Sequence, residues 1–559
     1  MSDAPQTGDA GQEPNVGGFL GWIERVGNRL PDPATLFLIG TFGVMVLSAL
    51  AVATDWTVVH ELPRPVEGSD SEVRWEVVME TSTVEKTLED GSVVQEAVEA
   101  PKTSKAKSLL TAEGIFWLLS SLVDNFMQFP PLGVVLVGML GIGLAERVGL
   151  IAVLLKYLMM LVPTSLLTPA MVFFGIMSST GIDAGYVVLP PLAAALYRAV
   201  GRSPMAGIAA VFAGVAAGFN ANLFVTGLDP LLAGFATTGA QVIDPEYQVA
   251  ATCNLFFMIG STFVITGAGW WTTSFFVEKR LSKLPPEDGG PVEVSAADLE
   301  NQRVRDDEKS ALVWALGALA VVFLGIGLAV GIPGWALNGK GALFDRWVEA
   351  IVPLLFVSFT VPSVVYGVRM GKIRNDKDAT KMLVESIAAM APIIVLSFFA
   401  AQFIECFKYS GLDRMVALSG GQALGKAEMS KEILVVAFIG VTILFNLFVG
   451  SMSAKYAMFA PIFIPMFMLV GISPELTQAA YRIGDSVSNT ITPLNAYLVI
   501  VLVFMRQVAP KAGMGTLIST MLPYTIVFSI VWTILLLTWM ALGLDLGIGG
   551  PLEYQLPTD

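Results

Sequence analysis

The chain has 559 residues, is 54% hydrophobic and 14% charged, and has a mean hydropathy of +0.68. A soluble protein of this size carries nearer a quarter charged residues, so many apolar spans account for the length, not several soluble domains. The net charge of −14 argues against a nucleic-acid partner, and Cys253 and Cys406 are too few for a disulfide framework and lack metal-ligand spacing.

Residues 1–32 read as a cytoplasmic tail, too long and too weakly basic before the first apolar run for a cleaved signal peptide. The first span covers 33–53, and Arg25 and Arg29 just before it place the N-terminus inside. An acidic insert over 54–110 then lies outside. Within it Glu72 to Val78 alternates and Asp90-Gly91 is a turn pair, which predicts a small extracytoplasmic β-hairpin. The one histidine, His60, lies here, so the membrane core holds no imidazole for a proton relay or a metal.

The first membrane half, 33–277, continues through apolar segments broken at Gln128 to Pro131, Ser178 to Asp183 and Asn220 to Pro230. A polar linker, 278–310, starts Glu278-Lys279-Arg280 and reads as cytoplasmic. The second half, 311–543, offers segments at 311–330, 348–368, 383–407, 433–449, 456–469, 487–504 and 515–542. Arg369, Lys372, Arg374 and Lys377 mark an inner loop, as do Arg506 and Lys511. An acidic tail, 544–559, falls outside. The predicted class is an all-α polytopic membrane protein with about nine transmembrane helices plus two re-entrant helical hairpins. Ser178-Ser179-Thr180 and Ser488-Asn489-Thr490 are each followed by a tyrosine, Tyr186 or Tyr497, and an apolar run. That pattern predicts two inverted halves whose polar tips meet near the midplane.

The stretch from Tyr481 to Pro493 places an arginine, an aspartate and small polar side chains between apolar runs. Hydrocarbon tolerates this where unwound backbone lines an enclosed cavity. The central charges are Asp183, Asp229, Lys455, Arg482 and Asp485, and intramembrane charges are functional candidates. Arg482 and Asp485 are spaced i, i+3 and could pair structurally, or Arg482 could meet a substrate carboxylate while Asp485 carries a cation or proton. Asp183, with Ser178, Ser179 and Thr180, offers hard oxygens for Na⁺, a protonatable carboxyl, or a helix cap. Asn220, Asn222 and Asn446 read as helix–helix hydrogen bonds, Asp229-Pro230 as a segment end, and Lys455 as a side chain reaching for an interface. An enzyme is not expected. The Gly-x-Gly-Asp motif of intramembrane aspartyl proteases is absent, since position 482 is arginine, and no Ser/His or Cys/His pair is available.

Asp183-Ala184-Gly185-Tyr186, Asn220-Ala221-Asn222-Leu223, Ala400-Ala401-Gln402-Phe403, Asn446 to Ser451 and Gln478 to Ser486 together resemble the p-aminobenzoyl-glutamate transporter (AbgT) family. The resemblance covers nearly the whole chain. It implies a homodimer in a bacterial inner membrane, each protomer with a scaffold and a part that moves like an elevator. It implies cation-coupled transport of p-aminobenzoyl-glutamate, with export of sulfonamide antimetabolites or carriage of a dicarboxylate as alternatives. No cofactor is expected beyond a coupling Na⁺ or H⁺. By resemblance, Asp183, Asn446, Ser453, Pro474, Arg482 and Asp485 are site residues. Tyr456 stands where the family commonly has tryptophan, and its ring could stack on an aminobenzoyl group. The cation is expected near Asp183, Asp485, Ser488, Asn489 and Thr490, with Na⁺ near Asp183 and Asn489.

Overall fold

Hydrocarbon offers backbone groups no water, so long apolar sequences become helices that satisfy their own hydrogen bonds. Among the described residues, six helices are long and apolar enough to cross a membrane: Pro33–Ala53, Leu255–Leu281, Asp306–Gly331, Ile351–Arg369, Ala391–Tyr409 and Met514–Ala541. A seventh span forms if Leu136–Val148 and Leu150–Met160, bent by 64°, are counted as one. The bend falls at Gly149, whose φ of +83° favours a residue without Cβ. This computed structural model describes residues 31–65, 73–87, 93–180, 184–294, 303–339, 345–492, 494–495 and 497–556. The tail with Arg25 and Arg29, the Asp90-Gly91 turn, part of the linker, Asp183 and Pro493 lie outside them, as does the side chain of Thr180.

The expected segment at 383–407 is two helices. Asp376–Ala389 and Ala391–Tyr409 separate at Met390, just before Pro392, which has no N–H to continue the ladder. The first carries Asp376, Lys377, Asp378, Lys381 and Glu385, so only the second is a candidate span. Around the spans lie shorter apolar helices: Thr164–Met177, Pro204–Ala217, Met452–Met468 and Tyr497–Val508. A large core joins these pieces to Leu255–Thr272 and Met514–Ala541. A separate core joins the Leu144 and Val148 end of one helix to Asp306–Gly331 and Ile351–Arg369. Asp306–Gly331 buries only Ala311, Leu312 and Ala315 and presents Trp314, Phe323, Leu324 and Leu328 outward.

The insert is more than one hairpin. Strands β1 (Thr57–Val59), β2 (Glu61–Pro65), β3 (Val73–Val77), β4 (Met79–Thr87), β5 (Val93–Pro101) and β6 (Thr103–Lys105) form three antiparallel ladders, β1–β6, β2–β3 and β4–β5. The alternating Val73–Val77 strand pairs backward with β2, while Asp90-Gly91 lies between β4 and β5. The ladders radiate from a three-way backbone junction. His60 N–H donates to Lys102 O at 2.9 Å, Val78 N–H to His60 O at 2.8 Å, and Lys102 N–H to Val78 O at 2.8 Å. The insert docks on Leu412–Lys426: Gln422 Nε2 donates to Val59 O at 2.8 Å, and Lys426 pairs with Glu61 at 3.1 Å.

His60 is buried at this junction, with Nε2 2.7 Å from Ser104 Oγ. Burial, then the Arg414 and Lys102 charges, lower its pKa to about 4 against an opposing effect of Glu80. The folded insert therefore holds neutral imidazole. This stability is complete above about pH 6.5 and is lost as pH falls from there toward about 4. Asp413 runs the other way, because burial raises its carboxyl to about 6 and the folded state takes up that proton first. The His60 contribution is thus read by difference. Acidification from pH 7 to 5 should speed limited proteolysis within the insert more in the wild type than in His60→Gln. Equal acid sensitivity in the two proteins would refute this role.

Candidate functional site

Helix Pro474–Val487 organises the site. Ser473 caps it, accepting from Leu476 N–H at 3.0 Å, and Pro474 starts it where a missing N–H costs nothing. All fourteen of its residues are buried. Gly484 lets the helix press onto Lys431–Asn446, since a Cβ there would lie 2.6 Å from Thr442 Cβ and 2.7 Å from Ile439 O. Gly239 does the same for Leu228–Ala240 on Met452–Met468, where a Cβ would lie 2.4 Å from Ala460 O. These contacts bring four helices close enough to share polar side chains.

The sequence suggested unwound backbone from Tyr481 onward. The helix instead runs through Val487, and irregular backbone begins at Ser488. Each charge in the helix finds a side-chain partner, so the backbone ladder need not open to solvate it. Ser488 and Asn489 then supply side-chain alternatives to backbone bonding.

Arg482 and Asp485 do not pair with each other. Arg482 Nη2 donates to Asp229 Oδ1 at 2.5 Å, and Lys455 Nζ meets Asp485 Oδ1 at 2.7 Å. All four side chains are at most 3% exposed. An Arg482–Asp485 pair would strand Asp229 and Lys455 in the interior, each at about 3–5 kcal/mol. Two cross-helix bridges neutralise all four. Lys455, expected to reach for an interface, is instead buried in a bridge, while Asp229 does sit at a segment end, in the first turn of Leu228–Ala240, and forms a bridge as well. Asp229 is also held by Thr226, whose N–H and Oγ1 donate to Oδ2 at 2.5 and 2.8 Å.

Asparagines tie the bridges to the breaks. Asn446 accepts from Lys455 Nζ through Oδ1, and its amide approaches Asp485 O at 2.7 Å, Ser488 Oγ at 2.8 Å and Asn489 Oδ1 at 2.8 Å. Asn220 Nδ2 donates to Ser486 Oγ at 2.7 Å and Arg482 O at 3.1 Å. Asn222 Nδ2 donates to Ser179 Oγ at 2.9 Å. Thus both asparagines of the 218–227 break, read as helix–helix contacts, reach the site. A signal for the bridges was present in the sequence: the two bases in the apolar segments, Lys455 and Arg482, each need an acid, and Asp229 and Asp485 were among the three available.

Other expected residues are placed as follows. Ser178 and Ser179 donate to Gly175 O and Ile176 O, leaving their lone pairs for other partners. Asn489 Nδ2 donates to Ala216 O at 3.4 Å, and Thr490 Oγ1 lies 2.9 Å from Thr525 Oγ1. Ser453 is half-buried, 3.3 Å from Ser451 Oγ. The Tyr456 ring is fully buried, 4.4 Å from the Tyr481 ring. Pro474 opens the helix, roughly 12 Å along its axis from Arg482. Tyr186 and Tyr497, which follow the two polar stretches, stack at 4.0 Å and 5° between planes. Among the described residues no three His, Cys, Asp or Glu side chains converge on a metal position.

The bridges make a stability prediction. Lys455→Met strands Asp485, and Asp485→Asn strands Lys455, each at about 3–5 kcal/mol, while the double variant strands neither. Thermal unfolding in detergent should show two destabilised single variants and a double variant more stable than either. Additive losses would contradict the pairing.

The chain matches the AbgT transporter family over residues 18–554. It is 32% identical to the p-aminobenzoyl-glutamate transport protein of Escherichia coli K12, covering 98% of each chain. The YdaH transporter of Alcanivorax borkumensis is 37% identical, with a TM-score of 0.79 over 93% of this chain and 100% of its own. MtrF of Neisseria gonorrhoeae, described among antimetabolite efflux pumps, is 35% identical, with a TM-score of 0.82 over 97% and 100%. The helices, the broken segments and these likenesses agree: the chain belongs to the AbgT family of membrane transporters, whose members are not enzymes.

Proposed function

We propose that the protein is a cation-coupled secondary transporter of p-aminobenzoyl-glutamate or a related aromatic carboxylate. The observation that carries this reading is the buried, neutral arrangement of Asp229–Arg482 and Lys455–Asp485 between two helix breaks. Arg482 is the group that a substrate carboxylate recognises, and Asp229 holds that position on it. A substrate carboxylate competes with Asp229 for the guanidinium, while Tyr456 offers an aromatic surface nearby. The relative from Escherichia coli supports the substrate class.

Charge conservation supports coupling. The two bridges sum to zero, so an anion entering them needs added positive charge. When a substrate takes Arg482, Asp229 keeps its Thr226 bonds but loses its counter-charge. Of the five central charges, Asp183 is the one that the two bridges leave over. We assign the coupling Na⁺ or H⁺ to Asp183 with oxygens of Ser178–Thr180 and Ser488–Thr490. Asp485 takes a cation only when Lys455 leaves it.

The order of elements supports two repeated halves. Helix, break and helix, then helix, break and helix, then a long helix, occurs over 167–281 and again over 431–541. In that order the Ser178 stretch corresponds to 447–451, and Asn220 to Asn222 corresponds to Ser488 to Thr490. This differs from the pairing suggested by sequence, which matched a hairpin tip to a broken helix. We propose an inverted repeat with about nine spans and two hairpins, in which the large core moves past a scaffold that includes Asp306–Gly331 and Ile351–Arg369. The reading includes a homodimer in the bacterial inner membrane, with the N-terminus inside and the insert outside.

A second reading, export of sulfonamide antimetabolites, is favoured by the likeness to MtrF. Flux in proteoliposomes, with Na⁺ and H⁺ gradients imposed separately, decides between them. Labelled p-aminobenzoyl-glutamate should accumulate under one gradient, and Asp183→Ala should abolish that drive while the protein stays folded. No flux of this compound with gradient-driven sulfonamide flux would select the second reading. Absence of both, or transport of succinate in their place, would overturn the aromatic substrate class.

A further inference from the structure

The helix that carries Arg482 also carries Gln478, one turn earlier on the same face. Gln478 is fully buried, and neither its Nε2 nor its Oε1 has a hydrogen-bond partner. Three more buried atoms nearby are also unpartnered: Tyr456 OH, Arg482 Nε and Asn254 Oδ1. They lie along the two turns from Glu475 to Arg482. Asn254 Nδ2 donates to Glu475 O, three residues before Gln478, at 3.2 Å. The Tyr456 ring lies 4.4 Å from that of Tyr481, the residue next to Arg482. Buried polar atoms without partners are costly, and four such side chains at one place mark a position where a ligand completes the bonding.

The donor and acceptor inventory selects the ligand group. Asn254 has its Nδ2 engaged with Glu475 O and Cys253 Sγ, which fixes its Oδ1 as an acceptor. Arg482 Nε is a donor only, whereas Gln478 and Tyr456 can do either. A carboxylate accepts only and leaves Asn254 unanswered. A trans amide presents N–H and C=O on opposite sides and answers both. We propose that Gln478 and Asn254, with Arg482 Nε and Tyr456 OH, form a subsite that reads a secondary amide in the substrate, next to the carboxylate held at Arg482 Nη2. This rests on the substrate reading given above and adds to it. The protein would select an aromatic acid joined through an amide over one joined otherwise, and Gln478 is a specificity residue.

The test uses the purified full-length protein and two probes measured by isothermal titration. One is p-aminobenzoyl-glutamate. The other is its ester counterpart, the p-aminobenzoyl ester of 2-hydroxyglutarate, which keeps the ring and both carboxylates but replaces N–H by oxygen. The wild type should bind the amide about 10- to 100-fold more tightly than the ester, because the ester leaves a buried acceptor unpaired. Gln478→Leu should weaken the amide about tenfold or more and narrow the preference. Equal binding of both probes by the wild type would overturn the subsite and leave the substrate class standing; a water would then be the partner of these atoms. An unchanged preference in folded Gln478→Leu would remove Gln478 from the subsite. Binding of neither probe would overturn the substrate reading and this proposal with it.

Discussion

Two buried ion pairs at the centre of the molecule constrain almost everything around them. A buried charge without a partner costs several kcal/mol, so Arg482 and Asp485, fixed three residues apart on one helix, need one counter-charge each. Asp229 and Lys455 supply them from two other helices. Each of those helices starts just after a break in the helical backbone, since Leu228–Ala240 follows residues 218–227 and Met452–Met468 follows 447–451. The breaks thus bring charged side chains to the centre, where Asn220 and Asn446 bind Arg482 O and Asp485 O of the charged helix and Asn489 binds Ala216 O near a helix end. Close helix packing at Gly239 and Gly484 follows from the same need, because bridges of this length require helices in contact.

A neutral cluster of this kind suits a carrier better than a fixed structural joint would. A structural joint gains little from burying four charges, since apolar side chains of similar volume would serve as well. In the proposed function, internal carboxylates that occupy the cationic side chains are exchanged for those of a ligand, with the charge balance restored by a coupling cation. The same logic separates the two bridges. In the transport function proposed above, Arg482, with a planar fork that suits carboxylates, receives the substrate, while Lys455 is a point charge bound to both Asp485 and Asn446. The membrane part and the acidic insert contribute differently. The insert is a separate β assembly held by its His60 junction and docked on Leu412–Lys426, away from the charges.

Much of this was legible in the sequence, for identifiable reasons. The 33–53 span matches because nothing in that run interrupts an apolar helix from Pro33 to Ala53. The break beyond Met177 and the one beyond Val487 were marked by clustered Ser, Thr and Asn next to proline or glycine. Arg482 and Asp485 stood out because charge is rare in apolar surroundings. What misled was locality. An i, i+3 spacing suggests a pair within one helix, yet the partners came from positions 253 and 30 residues away in the chain, at Asp229 and Lys455. Helix continuity through Val487 was hidden for the same reason, since partners from other helices, invisible locally, make polar residues tolerable in a buried helix. In the insert, alternation identified a β-strand but not its partner, because β3 and β4 are separated only by Val78 and the chain pairs backward there.

The most direct test of the account is equilibrium binding of p-aminobenzoyl-glutamate to Asp229→Asn beside the wild type. If Asp229 holds the place of a substrate carboxylate, removing its charge while keeping its shape frees Arg482. Affinity should then rise, by about tenfold or more, and should depend less on the coupling cation. Unchanged or weaker binding in a folded Asp229→Asn protein would mean that the substrate does not compete for Arg482, and the central claim would fail.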